Sequence, residues 1–313
     1  MSEQRKLITV AAGCYNEAEN LEEFVARVEA VFKSLPQYEL ELIIIDNASQ
    51  DGSQAILRRL AAEKPHLKVI LNARNFGHIR SPYHALLQGS GEACLQMASD
   101  LQDPPELIPE FLAKWEAGYK AVVAVKEQSE EGALLFFVRR SYYKLVHRLA
   151  EFEIIPNFTG FGLYDKAIIE YLRKLDDPYP YLRGLISEIG LPTAQIPFHQ
   201  PSRKRGLTKS NFYILYDIAM LGITNHSKLP LRLATMMGFA LSFISFLIGI
   251  AYLIYKLLFW QRFVLGVAPV VIGLFFFSSV QLFFIGILGE YIGAIHTQTL
   301  KRPLVVERER LNF

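Results

Sequence analysis

Cysteine is scarce in this sequence: Cys14 and Cys94 are the only two among 313 residues. That excludes a disulfide-stapled scaffold and offers no Cys-x-x-Cys metal pair, so both thiols are expected as reduced packing residues. No Gly-x-Gly-x-x-Gly follows the first apolar run and no Gly-x-x-x-x-Gly-Lys-Ser/Thr occurs anywhere. A dehydrogenase-type dinucleotide site and a P-loop NTPase are therefore unsupported. The net charge is +2, with no long basic arm or aromatic-interleaved basic patch, so nucleic acid is not an expected partner. The opening MSEQRKLITV lacks an apolar leader and leads straight into a strand pattern, from which export of the first 228 residues is not expected.

Charge is also missing where it matters most. No residue from Leu233 to Tyr255 is charged, and none from Phe263 to Gly289. As helices rising about 1.5 Å per residue, both runs are long enough to cross a hydrocarbon core about 30 Å thick. Lys and Arg cluster before the first run (Arg203, Lys204, Arg205, Lys209, Lys228, Arg232) and after the second (Lys301, Arg302, Arg308, Arg310), while the connection carries only Lys256 and Arg262. The positive-inside rule then predicts an integral protein of the cell (inner) membrane with both termini cytoplasmic.

Ahead of these runs, apolar β-rich segments alternate with helical patterns: LITVAAGCY, a helix over EAENLEEFVARVEAVFKSL, YELELIIID, a helix over SQAILRRLAAEK, LKVILN, a helix near Tyr83 to Gln88, EACLQMASD, a helix over PELIPEFLAKWEAG, and KAVVAVK. Strands apolar on both sides, each followed by a helix, predict an α/β, Rossmann-like domain with a parallel sheet covered on both faces. Such sheets bind ligands beyond the carboxyl ends of their strands. The polar clusters obey that rule: Tyr15 to Asn20, Asp46 to Ser53, Asn72 to His78 and Ser99 to Asp103 each follow a strand, so all four are expected along one edge. Two amphipathic helices are also predicted, one over Leu135, Val138, Tyr142, Leu145, Val146 and Leu149, docked on protein or lying in a membrane interface. The other, around Phe212, Leu215, Tyr216, Ala219 and Ile223, is expected as interfacial because it leads into the first span.

The fourth cluster, SDLQD, carries the chemistry. Adjacent oxygen donors at a strand end suit a hard divalent cation shared with substrate phosphates, which makes Asp100 and Gln102 candidate ligands for Mg2+ or Mn2+. Asp103 has two readings, a site residue or the N-cap of a helix that begins with Pro104 and carries Glu106 three residues on. Asp46 and Asp51 have a structural alternative as an Asx turn, and the basic run RKRGLTKS has one as an anchor to anionic lipid.

The ordered set CYNEAEN, IIIDNASQDGS, ARNFGH, ASDLQDPPELIPEF and RKRGLTKS, followed by two apolar spans, resembles glycosyltransferase family 2, and most of all its polyisoprenyl-phosphate glycosyltransferases. The similarity runs from about Lys6 to the end. It implies a GT-A catalytic domain (1–205), an amphipathic juxtamembrane helix (206–229), two transmembrane helices (230–294) and a cytoplasmic tail (295–313). It implies a nucleotide-sugar donor held near Tyr15, Glu17, Asp46 and Arg74, a metal at Asp100 and Gln102, and phosphate contacts from Arg203 and Lys209. Asp103 and Asn157 become candidates for positioning the acceptor, a polyprenyl phosphate. Inverting transfer of glucose from UDP-glucose to undecaprenyl phosphate is the expected reaction, with GDP-mannose and UDP-linked amino sugars as the next donors and self-association expected. Three positions depart from the pattern: Ala98 stands where many members carry an acid, Gly160 where many carry Asp, and Ser210 where many carry Tyr. These departures keep open a catalytically silent membrane scaffold; a processive polysaccharide synthase is a weaker alternative, since its Gln-x-x-Arg-Trp motif is absent.

Overall fold

The structure, a computed structural model, describes residues 5–126, 155–201, 229–259 and 267–313. The first predicted amphipathic helix lies outside the described residues, as do the second, Arg203, Lys209 and Ser210.

The expected alternation is present: β1 (Lys6–Cys14), α1 (Ala18–Lys33), β2 (Tyr38–Asp46), α2 (Ser53–Glu63), β3 (Leu67–Asn72), α3 (Gly77–Leu87), β4 (Ala93–Ala98), α4 (Ile108–Glu116) and β5 (Ala121–Lys126). β6 (Phe158–Asp165), α5 (Lys166–Leu175), α6 (Leu182–Ile189) and β7 (Thr193–Phe198) complete the first half, before the long helices α7 (Leu229–Leu258) and α8 (Val267–Thr299) and a last strand, β8 (Glu307–Leu311). The eight strands form one sheet in the order β7-β5-β6-β4-β1-β2-β3-β8.

The central run β4-β1-β2-β3 is parallel, with Cys14 level with Asp46 and Gly13 level with Ala98. The sheet as a whole is mixed rather than parallel, because β6 runs antiparallel to β4 and β5, and β8 antiparallel to β3. Successive side chains of a strand alternate between faces, and β2 shows it: Leu42 and Ile44 pack with Phe24, Leu57 and Phe111 of α1, α2 and α4, whereas Ile43 and Ile45 pack with Tyr83, Leu86, Ile168 and Leu172 of α3 and α5. Burial on both faces explains why these strands read as continuous apolar runs.

α3 comes close to the end of β1. A Cβ at Gly13 would meet Cγ of Pro82 at 2.8 Å, so only glycine lets this helix pack there. Gly160, at φ +101°, is one of the glycines held in the left-handed region. A residue with a side chain is strained in that backbone region, so an acid at position 160 would need a different local backbone.

α7 and α8 contain apolar segments, Pro230–Ala251 and Gly273–Thr299, with mean hydropathy 2.1 and 1.6 and no burial within the chain. By length and composition both can cross a bilayer. Beyond them the chain rejoins the first domain: β8 pairs with β3, Val305 is buried, and Arg58 forms a bidentate ion pair with Glu309. The residues 295–313, expected as a tail, thus include the end of α8 and an edge strand of the sheet.

Candidate active site

The level ends of β4, β1, β2 and β3 bring the four polar clusters to one edge, and hydrogen bonds lace them together. The backbone N–H groups of Asn16, Glu17 and Ala18 donate to Ser49 Oγ (2.8 Å), Ser53 Oγ (3.0 Å) and Asp51 Oδ2 (3.0 Å), while Gln50 N–H donates back to Asn16 Oδ1 (2.9 Å). Asn47 ties in the third loop, donating to Asn75 Oδ1 (2.8 Å) and Gly77 O (3.1 Å) and accepting from Phe76 N–H (2.8 Å) and Asn72 Nδ2 (3.2 Å). Ser99 Oγ joins the fourth by donating to Gly13 O at 2.8 Å. These bonds tie the four loops into one floor, with Asp46 Oδ1 and Asn72 Oδ1 left as buried acceptors without a partner.

The predicted donor-site residues differ in what they offer. Tyr15 is exposed, and Glu17 is half-buried with Oε2 accepting from Asn20 Nδ2 at 2.6 Å. Arg74 is exposed, donates to Asn75 O at 3.0 Å, and lies with Cζ 4.0 Å from the Phe76 ring centre. Asp46 is fully buried: Oδ2 accepts from Ser49 N–H and Gln54 Nε2, both at 3.0 Å, while Oδ1 is buried with no hydrogen-bond partner. The Asp46 bond reaches three residues ahead, whereas in Asp51 Oδ1 closes an Asx turn onto Ser53 N–H, two residues on, at 3.1 Å.

In the fourth cluster Asp100 is 9% exposed, and its Oδ1 accepts from Gln102 N–H at 3.1 Å. Gln102 Nε2 donates to Pro201 O at 3.3 Å, which draws in the chain two residues before Arg203. Asp103 does not cap the following helix. That turn starts after Pro104 without a side-chain cap, and Asp103 Oδ2 instead accepts from Ala98 N–H at 2.8 Å. Two prolines remove the N–H groups a cap would satisfy. Burial, with the nearby Asp100 charge adding to it, pushes the Asp103 carboxyl up to about 7. Asn157, the other acceptor candidate, is exposed and uses its backbone carbonyl to accept from Lys126 N–H at 3.1 Å.

Arg183 is a residue the sequence reading missed. Its Nη2 donates to Thr159 O at 2.9 Å, beside Gly160, and its charge favours ionisation of both Asp103 and Tyr164. An arginine in the apolar stretch YLRGLISEIG was the available signal, because a cation there needs a polar reason.

Among the described residues no group of three or more His, Cys, Asp or Glu side chains could by itself hold a metal ion. The donor set at Asp100 and Gln102 does fit a hard cation that completes its shell with water and phosphate oxygens. The charge of Asp100 bears on the buried carboxyl of Asp103, a repulsion that a cation would relieve.

The family description "Glycosyl transferase family 2" matches residues 9–172. The bactoprenol glucosyl transferase of Shigella phage SfV is 32% identical over 97% of this chain and 99% of its own length. The prophage bactoprenol glucosyl transferase homolog of Escherichia coli (strain K12) is 30% identical over 95% of this chain and 96% of its own. Among solved structures, the mannosyltransferase PcManGT from Pyrobaculum calidifontis, in complex with GDP-Man and Mn2+, is 19% identical, with a TM-score of 0.48 over 71% of this chain and 63% of that one. The family match and the near full-length relatives show that the chain belongs to glycosyl transferase family 2: it is a glycosyltransferase with a GT-A-like sheet.

Proposed function

We propose that this protein transfers a hexosyl group, glucose from UDP-glucose, to a polyprenyl phosphate such as undecaprenyl phosphate at the cytoplasmic face of the cell membrane. One observation carries the reading: the correspondence with bactoprenol glucosyl transferases covers 97% of the chain, apolar helices included. The return of the chain from α8 into the sheet through β8 supports two spans with the domain and the C-terminal residues on one side of the bilayer. The excess of Lys and Arg flanking the spans supports the cytoplasmic side.

In this reading Tyr15, Glu17, Asp46 and Arg74 hold the base and ribose of the donor, and Asp100 and Gln102 hold Mg2+ or Mn2+ at its diphosphate. Arg203 and Lys209, outside the described residues, contact the phosphates. When bound, the cation stabilises negative charge growing on the departing nucleoside diphosphate. The acceptor needs little activation, since a phosphate monoester with its second pKa near 6 is largely dianionic at pH 7. Asp103 is not required as a base: it is buried and engaged with Ala98 N–H, and it fixes the backbone from which Asp100 projects. Direct attack by the lipid phosphate inverts the anomeric centre, and anchoring both partners to one bilayer raises their effective concentration.

The test is a panel of UDP-glucose, GDP-mannose and UDP-linked amino sugars, assayed with undecaprenyl phosphate with and without EDTA. Transfer of label from UDP-glucose that EDTA abolishes is the expected result. Absence of transfer from every donor would favour the silent scaffold.

A further inference from the structure

The last strand of the chain reaches the donor loop through one side chain. Arg308 of β8 donates from Nη2 to Gln54 Oε1. Gln54, in the first turn of α2, donates from Nε2 to Asp46 Oδ2 at 3.0 Å and to Ser49 O at 3.1 Å. We propose that Arg308 is a positioning residue for nucleotide binding, acting through Gln54 to set which oxygen of Asp46 is left for the donor's base. The inference rests on the nucleotide-sugar reading above.

Donors and acceptors fix the orientation of the amide. A guanidinium only donates, whereas a glutamine amide does both and can flip end for end. With Arg308 in place, Gln54 must turn its oxygen to the arginine and its nitrogen to Asp46. Without it the amide is held from its nitrogen end alone, by Asp46 Oδ2 and Ser49 O, and is free to pivot about those contacts. Ser49 N–H and Gln54 Nε2 together occupy Oδ2, which leaves Oδ1 buried without a donor. An acceptor in that state is costly, and an N–H from a ligand recovers the cost. Uracil and guanine offer a ring N–H for it, and cytosine does not.

The arrangement also ties this oxygen to the membrane segment, because β8 follows α8 after only a short connection. The strand is held independently of Arg308. Asn312 Nδ2 donates to Ala61 O, Lys64 O and Leu67 O (2.7, 3.3 and 2.8 Å), and the ladder pairs Val69 with Leu311 and Ile70 with Arg310. Loss of the Arg308 contact alone should therefore leave the strand in place.

The experiment is calorimetric titration of UDP into the full-length protein in nanodiscs, with CDP as the control. Arg308→Gln is expected to weaken UDP about fivefold, the equivalent of one hydrogen bond of about 1 kcal/mol. Gln54→Ala should weaken it similarly, the double variant no further, and Arg308→Lys should restore part of the loss. Asn312→Ala supplies the structural comparison: it should lower Tm more than Arg308→Gln does and UDP affinity less. The proposal is overturned if the unaltered chain binds UDP and Arg308→Gln binds it equally, if the double variant loses the sum of the two effects, or if UDP affinity across the variants simply follows Tm. Failure of the unaltered chain to bind UDP contradicts the donor reading itself, and the relay with it.

Discussion

Asp103 Oδ2 accepts a hydrogen bond at 2.8 Å from the backbone N–H of Ala98, the last residue of β4. An acid at position 98 would add charge near a carboxyl already raised by burial and, beyond that, by the Asp100 charge. The shift has a stability consequence with a definite sign. Because the folded pKa, about 7, lies above the ordinary value of 3.8, the folded state retains a proton that the unfolded chain has lost. The stabilisation is complete below about pH 4 and is lost as pH rises through 7. Asp103→Asn keeps the acceptor and removes the titration. In EDTA, the Tm of this variant relative to the unaltered chain should climb between pH 4 and 7 and then level off. Its size is of order a few kcal/mol, at about 1.4 kcal/mol per pKa unit, and Mg2+ should shrink it.

Glu41 shows the opposite sign. This buried carboxylate on β2 accepts from Lys68 Nζ (2.6 Å), Ser90 N–H (2.8 Å), Ser90 Oγ (2.6 Å) and Thr9 Oγ1. Burial alone would raise its pKa, but these donors together hold it below the ordinary value of 4.5. The stability it contributes is present above about pH 4.5 and is lost as pH falls through the lower folded value. Glu41→Ala should cost about 3 kcal/mol, read by denaturant or thermal unfolding at pH 7. It should have little effect on UDP affinity, since Glu41 lies far from the strands' carboxyl ends.

Asn47 makes the most concentrated set of loop contacts, two donated and two accepted. Asn47→Asp keeps both accepted bonds and loses the donated pair, whereas Asn47→Ala loses all four. The expected order of donor KM is Ala above Asp above the unaltered chain, with Asn47→Ala also losing about 1–3 kcal/mol of stability for a buried N–H left unmet. Equal KM values in all three would show that the third loop takes no part in donor binding.

The catalytic domain was legible because its central strands are buried on both faces and therefore read as unbroken apolar runs; β2, LIIID at its end, is the clearest. β8 was not legible. Its sequence ERERL alternates charge rather than hydrophobicity, and an edge strand held by Arg58–Glu309 and His84–Glu307 needs no apolar face. β6 and β7 were also obscured, by the glycines of FTGFGLYD and the proline of TAQIPF. Strand-end position was enough to place Asp46, Asp100 and Gln102 at one edge of the sheet. It could not show that Asp46 is fully buried or that Asp103 turns back to Ala98, because both depend on which donor N–H comes within reach after folding.

Gly13→Ala tests the packing that frames the edge. A Cβ there meets Pro82 Cγ at 2.8 Å, and overpacking of this kind costs about 1–3 kcal/mol. The variant should unfold at lower temperature, and in assays its donor KM should rise as α3 is pushed from the end of β1. A Tm equal to that of the unaltered chain would mean that α3 shifts freely.

The central claim is that Asp100 brings a divalent cation to the diphosphate of the donor. The direct measurement is the steady-state rate of glucosyl transfer to undecaprenyl phosphate by Asp100→Asn across a titration of Mg2+ and Mn2+. The account predicts turnover lower by about 10²–10³, the scale of losing one electrostatic stabiliser of the transition state, and a cation requirement moved to higher concentration. Unchanged turnover with an unchanged cation midpoint would contradict it.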